Sequence, residues 1–165
     1  MSTVAVREAG AGDAEAVAAI YNHYVRETVV TFEEEPVGVE VIATRIGQVV
    51  AAGLPWLVAE REGAVVGFAY ATPWKERSAY RYSVECTVYV APGFEGQGLG
   101  SALYSELFER LAAREVHAVI AGIALPNDRS VALHESFGMT KVAQFREVGF
   151  KFGRWVDVGY WQGMV

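Results

Sequence analysis

Val88-Tyr89-Val90-Ala91-Pro92-Gly93-Phe94-Glu95-Gly96-Gln97-Gly98-Leu99-Gly100-Ser101-Ala102-Leu103 joins two kinds of periodicity through a run of glycines. A β-prone run stops at Pro92-Gly93, a glycine-rich turn follows, and a helix starts at Gly98 and runs to Arg114. In that helix Leu99, Leu103, Leu107 and Leu111 step by four along one stripe, so it has one face to bury. Glycines let a backbone approach a ligand closely, and several N–H groups of such a turn can point one way. The helix adds its unpaired N–H groups and the positive end of its dipole, which suits a pyrophosphate. A tight strand-to-helix turn with no ligand is the plain alternative. No Lys-Ser or Lys-Thr pair follows Gly100, so the turn is not a P-loop. The spacing of Gly98 and Gly100 also lacks the third glycine of a dinucleotide fingerprint.

Outward from this stretch the periodicity alternates between types. Upstream, Thr3 to Arg7 reads as a strand. Asp13 is placed as the N-cap of a helix carrying Val17, Ile20, Tyr21, Tyr24 and Val25 on one face. Val39, Ile42, Ile46, Val49 and Val50 form a second amphipathic helix closed by Gly53. Trp56 to Glu60 and Ala64 to Thr72 flank the turn Arg61-Glu62-Gly63, and Tyr80 to Val90 is a long β-prone run. Downstream, Val116 to Ile123 is an apolar strand, a short helix follows Pro126-Asn127-Asp128, and Gly138 stops it. Strands near Thr140 to Val148 and Val156 to Gln162 end the chain. This order predicts a single α/β domain around a mixed, mostly antiparallel sheet of about six or seven strands, flanked by about four helices.

Bulk properties bound the partners. The chain has 165 residues, 52% of them hydrophobic and 21% charged, the balance of a globular domain. A net charge of -6 argues against a nucleic-acid partner, which needs a basic face. The lone Cys86 can form neither an internal disulfide nor, by itself, a metal site, and fits a reducing compartment. No apolar run reaches about 18 residues and Met1 to Gly10 is not a secretory leader, so the expectation is a cytoplasmic protein with no membrane partner and no metal.

The turn and its flanks resemble the acetyl-coenzyme A motif of the GNAT superfamily of N-acetyltransferases, a strand, a Gln/Arg-x-x-Gly-x-Gly loop and a helix. The resemblance implies the GNAT fold and acetyl-CoA as cosubstrate. The coenzyme would be held by Val88, Tyr89, Val90, Gly96, Gln97, Gly98, Leu99, Gly100 and Ser101. Glu95 departs from the pattern, since a carboxylate beside a pyrophosphate is unfavourable unless it faces elsewhere. Asn127 to Met139 resembles a second motif of the superfamily, in which Asn127 would contact the pantetheine arm and His134 stands where many members have a Tyr. Thr31-Phe32 with Glu35-Pro36, Trp74 to Tyr80, Leu125 to Asp128, Leu133 to Glu135 and Trp155 to Gln162 together look like phosphinothricin acetyltransferases and the similar methionine sulfoximine and methionine sulfone acetyltransferases. That branch implies transfer of acetyl to the α-amino group of a small glutamate- or methionine-like amino acid, by a homodimer. Aromatics are 12% of the chain, and Trp155, Tyr160 and Trp161 could serve an interface or the core.

An ammonium has no lone pair, so acetyl transfer needs a base, and Glu85 is the first candidate: a carboxylate amid apolar and hydroxyl neighbours in a strand. Alternation puts Arg81, Ser83, Glu85, Thr87 and Tyr89 on one face, a pattern that a bulge in this strand would shift. A surface carboxylate is the plain alternative. His134 is the second catalytic candidate, as proton relay or as donor to the leaving thiolate, against a structural role. Lys75, Arg77 and Arg81 form a basic cluster after Trp74. Arg77 and Lys75 match the branch's substrate stretch and could hold carboxylate, phosphinate or sulfone oxygens. Phe32, Trp74, Cys86, Thr87 and Tyr89 complete the expected substrate pocket. Glu85 would raise the Cys86 thiol pKa, so direct transfer is expected rather than an acetyl-cysteine. A peptide or lysine acetyltransferase, and a coenzyme A-binding module without catalysis, are the competing readings.

Overall fold

Strand Ser83–Val90 (β4) leads through the glycine turn into helix Leu99–Ala113 (α3), and the computed structural model, which describes residues 3–165, builds the rest around that pair. Before them come β1 (Val4–Glu8), α1 (Ala14–Glu27), α2 (Val39–Ala51), β2 (Trp56–Arg61) and β3 (Ala64–Pro73). After them come β5 (Ala118–Leu125), α4 (Asp128–Ser136), β6 (Thr140–Lys151) and β7 (Arg154–Met164). The strands form one seven-stranded sheet in the order β1-β2-β3-β4-β5-β7-β6. Every neighbouring pair is antiparallel except β4 and β5. This is the mixed, mostly antiparallel sheet with four α-helices that the periodicity predicts.

Each face of the sheet has its own core. The Leu99, Leu103, Leu107 and Leu111 stripe of α3 is buried against Leu57, Ala69, Val84, Cys86 and Val119. Each of those leucines contributes about 1.5–3 kcal/mol of burial. On the other face α1 and α2 pack Val17, Tyr21, Val25, Ile42 and Ile46 over Trp56, Val58 and Phe68. Hairpin turns carry the geometry the sequence proposes: Glu62 and Gly63 have φ of 52° and 78° between β2 and β3, the paired positive values of a type I′ turn.

Local departures from the sequence reading have physical causes. Asp13 does not cap α1 with its side chain; its carboxylate accepts the Gly10 N–H at 2.7 Å and binds Arg7 at 2.8 and 2.9 Å. The β-prone run at Tyr80 starts as a 3-10 turn over Ser78–Tyr80, so β4 begins only at Ser83. β6 and β7 are longer than their apolar patterns suggest because they are joined by the tight Phe152-Gly153 turn, with φ of 53° and 72°. The β3–β4 register runs unbroken from Gly67↔Val90 to Pro73↔Val84, so β4 keeps simple alternation and the bulges lie in β2–β3 and β6–β7.

The feature that makes a site is where β4 and β5 part. Their parallel ladder has only the pairs Ser83↔Ala118, Val84↔Val119 and Glu85↔Ile120. Beyond Glu85, β4 stays with β3 while β5 stays with β7 to Leu125. The sheet therefore opens as a V, with strand edges lacking ladder partners along its inner sides.

Candidate active site

A cavity of about 690 Å³ fills this V. Its walls include Thr87 and Tyr89 from the α1–α2 face, and Cys86, Val88 and Tyr104 from the α3–α4 face, so it passes through the sheet. Two reactants can thus meet from opposite sides without crossing a layer of main chain.

One mouth is the glycine turn. Gly93, Gly96 and Gly98 have φ of 89°, 74° and 80°, values that favour glycine, and Gly98 is the N-cap of α3. Gly96, Gly98, Leu99, Gly100 and Ser101 all line the cavity. A Cβ at Gly100 would stand 3.0 Å from Leu133 Cδ2, so glycine there lets α3 close on α4. Glu95, where the sequence departs from the motif, lines the cavity too, with its Oε2 engaged by the Gly93 N–H at 2.8 Å. The Gln97 side chain faces Arg61 instead of the cavity, and its main chain stays in the turn. Asn127 lines the cavity and caps α4, its Oδ1 accepting the Ser130 N–H at 3.2 Å. The exposed N–H groups of this turn and helix start fit a pyrophosphate.

On the α3–α4 face His134 is 3% exposed and neutral. Its Nδ1–H donates to the Ser130 carbonyl at 2.7 Å, and its Nε2, 2.8 Å from the Tyr104 hydroxyl, accepts from it. Burial holds the His134 pKa below the ordinary histidine value and the Tyr104 pKa far above the ordinary tyrosine value. Tyr104 and His134 both line the cavity, and the Tyr104 hydroxyl also faces Cys86. Burial pushes the Cys86 thiol up to about 12, so it is no thiolate at neutral pH.

Glu85 lies on the other face, just beyond the principal cavity, on the α1–α2 side with Thr87 and Tyr89 as alternation requires. Half-buried, its carboxyl pKa is raised by desolvation and pulled back in part by the Lys75 charge. Gly122 of β5 separates Glu85 from the Tyr160 ring: a Cβ there would meet Tyr160 Cε1 at 3.2 Å and Glu85 Oε2 at 3.6 Å. Tyr160 packs edge-on against Trp74, with centroids 6.0 Å apart. Trp74, Lys75 and Arg77 line a shallower recess of about 500 Å³ with Tyr80, separate from the principal cavity, and Lys75 Nζ lies over the Trp74 ring at 4.8 Å. Arg81 is apart from them, its guanidinium donating to the Ser78 carbonyl and covering Tyr82. Phe32 stands in the loop between α1 and α2, outside the cavity wall, while Val30 of that loop lines it.

Three site residues were not legible: Tyr104, Gly122 and Tyr160. Tyr104 reads as one more core aromatic on α3, and Gly122 as a small residue in an apolar strand. Tyr160 shares its run with Trp161, which is buried with its indole N–H donating to Glu135 at 3.0 Å, and with Trp155, which is 62% exposed. Only strand pairing, Gly122↔Tyr160, sets the glycine beside the ring.

Comparison with known proteins agrees with this geometry. The model of the acetyltransferase (GNAT) family matches residues 17–139, well over half of the chain. The chain belongs to the GNAT acetyltransferase family. It is 45% identical over 159 residues to phosphinothricin N-acetyltransferase of Streptomyces viridochromogenes, covering 96% of this chain and 86% of that protein. It is 37% identical over 157 residues to the L-methionine sulfoximine/L-methionine sulfone acetyltransferase of Salmonella typhimurium, covering 95% and 92%. Among solved structures, a GNAT superfamily phosphinothricin acetyltransferase from Sinorhizobium meliloti in complex with acetyl-CoA superposes with a TM-score of 0.95 at 37% identity, covering 99% of this chain and 89% of that one. The chain is therefore a GNAT acetyltransferase, and acetyl-CoA is its acyl donor. Among the described residues no helix is long and apolar enough to cross a membrane, and no His, Cys, Asp and Glu cluster could hold a metal.

Proposed function

We propose that this enzyme transfers acetyl from acetyl-CoA to the α-amino group of a small amino acid of the phosphinothricin, methionine sulfoximine or methionine sulfone type, working as one catalytic domain. The observation that carries this reading is the cavity through the parted β4–β5 edge, with the pyrophosphate turn at one mouth and Glu85 near the other. Acetyl-CoA supplies a thioester carbonyl open to a neutral amine. Glu85 takes the ammonium proton; desolvation has raised its pKa toward the working pH, which makes it a better base than an exposed glutamate. As the N–C bond forms and the C–S bond breaks, the sulfur leaves on the α3–α4 face. There the Tyr104 hydroxyl, turning from His134 Nε2, gives the sulfur its proton, and the second proton of the attacking nitrogen restores the hydroxyl. His134 positions Tyr104, since both of its ring nitrogens are engaged. Lys75 and Arg77 offer the cations for the substrate's acidic end, and Trp74 and Tyr160 its apolar wall.

The names of the relatives at 45% and 37% identity support this substrate class. A homodimer is part of the same reading: Phe145, Val148, Phe150 and Trp155 on β6 and β7, with Phe152 at the turn between them, are large apolar side chains left exposed, of the kind that interfaces cover. The buried reduced thiol of Cys86 fits a cytoplasmic enzyme. The test is to incubate the enzyme with acetyl-CoA and methionine sulfone and to weigh both product and protein. Acetyl on the amino acid nitrogen supports the reading. A stable acetyl group on Cys86, or none on the amino acid and its relatives, contradicts it.

A further inference from the structure

Lys151 is the one lysine buried to 1% exposure, at the end of β6, and no step of the chemistry above uses it. Its ammonium donates to the main-chain carbonyl of Thr31 at 2.8 Å and lies over the Phe152 ring at 5.2 Å. Next to it, Gly149 lets the ring of Phe32 lie on the strand: a Cβ at 149 would be 2.3 Å from Phe32 Cζ. Thr31 and Phe32 belong to the loop between α1 and α2. That loop is fixed to the helices by Tyr21, whose hydroxyl donates to Glu33 at 2.5 Å, and by Arg45, which binds Glu33 at 2.6 and 3.1 Å.

These contacts join two halves of the molecule that the sheet itself holds weakly. The helices α1 and α2 sit on the β2–β4 arm of the V, whereas β6 is the outer strand of the β5–β7 arm. Between the arms the ladder has three pairs. The loop crosses from one arm to the other on the Glu85 face, and Lys151 and Gly149 are where it lands.

We propose that Lys151 is a positioning residue for acceptor binding: it fastens the Val30–Phe32 loop across the open side of the V and so fixes the wall against which the amino-acid substrate rests. This rests on the amino-acid reading above for its kinetic readout, and on the geometry alone for its structural one. Burial of the ammonium is tolerable only while a carbonyl and the nearby Glu33 and Glu34 charges compensate it, and it holds the Lys151 pKa below the ordinary lysine value. A fixed loop also spares the substrate the cost of ordering it.

Lys151→Met keeps the length and apolar stem and removes the donor. The expected result is a KM for the amino acid raised about tenfold or more, the size given by loss of a buried hydrogen bond from a charged group, with the KM for acetyl-CoA within about twofold of wild type. Amide hydrogen exchange over residues 28–36 should quicken in the same variant without any substrate present, which separates failure of this proposal from failure of the substrate reading. Gly149→Ala, which must displace the Phe32 ring while leaving Lys151 in place, should raise the amino-acid KM in the same direction, and it decides the matter should Lys151→Met not fold. Unchanged acceptor KM in a folded variant, equal rises for both substrates, or unchanged exchange over 28–36 would overturn the proposal.

Discussion

Replacing Glu85 by glutamine changes one property of the site and leaves its shape. The amide occupies the carboxyl volume between Gly122 and Lys75 but cannot accept a proton from an ammonium. General-base contributions run about 10²–10⁴-fold, so kcat should fall by about 3–5 kcal/mol in barrier terms at 1.36 kcal/mol per decade. The pH profile adds a second readout. Glu85 has a pKa above the ordinary 4.5, so its acid limb lies above that value in the wild type and should vanish in the variant, leaving the amine's own ionisation. The stability sign is also fixed. A raised carboxyl pKa means that the folded state binds the proton more tightly than the unfolded chain. Stability gained from this group therefore appears as pH falls through the raised value, and at neutral pH the buried charge is a cost. Glu85→Gln should accordingly hold or raise Tm at pH 7. Stopped or steady-state thiol release, with a thermal melt on the same samples, measures all three. An unchanged kcat would exclude Glu85 as the base, and a lowered Tm accompanying the loss would mean a damaged fold.

Other changes probe other parts. Tyr104→Phe should lower kcat by about 10²-fold, with the binding of acetyl-CoA by calorimetry little changed, because only the proton donor is removed. Gly122→Val puts methyl groups into the gap between Glu85 and Tyr160; overpacking of about 1–3 kcal/mol should cut kcat/KM for the amino acid by roughly tenfold to a hundredfold, read by acceptor titration. His134 has a depressed pKa, so its contribution to stability is complete above about 6.5 and is lost as pH falls below that value. Tm measured from pH 8 to pH 5 should show this decline, and His134→Gln should flatten it.

Local chemistry explains what the sequence made legible. The α3 leucine stripe, the glycine turn and the apolar run of β4 each announce themselves within a dozen residues, and together they gave the strand-turn-helix unit at the centre of the fold. Glu85 stood out because a carboxylate is costly in such a strand, and unbroken alternation put it on the face expected. What remained hidden depends on pairing between distant strands. The parting of β4 from β5 has no local sign, because both strands continue to pair on their outer edges. Tyr160 and Gly122 become neighbours only through the β5–β7 register. Tyr104 was hidden by the helix around it, where an aromatic beside a leucine stripe looks like packing. His134 was noticed, and the structure engages both of its ring nitrogens, one with Ser130 and one with Tyr104. Lys151 gave no signal, since a lysine near a hairpin turn reads as solvated.

Whether an amino acid's amine meets acetyl-CoA in the parted sheet is read from thiol release across a panel of acceptors. The panel holds phosphinothricin, methionine sulfoximine, methionine sulfone, common amino acids, a polyamine and a basic peptide. Saturable release with the first three, and weak release with the peptide and polyamine, is the expected result. Release with the peptide or polyamine alone, or none with any acceptor while acetyl-CoA still binds, would contradict the account.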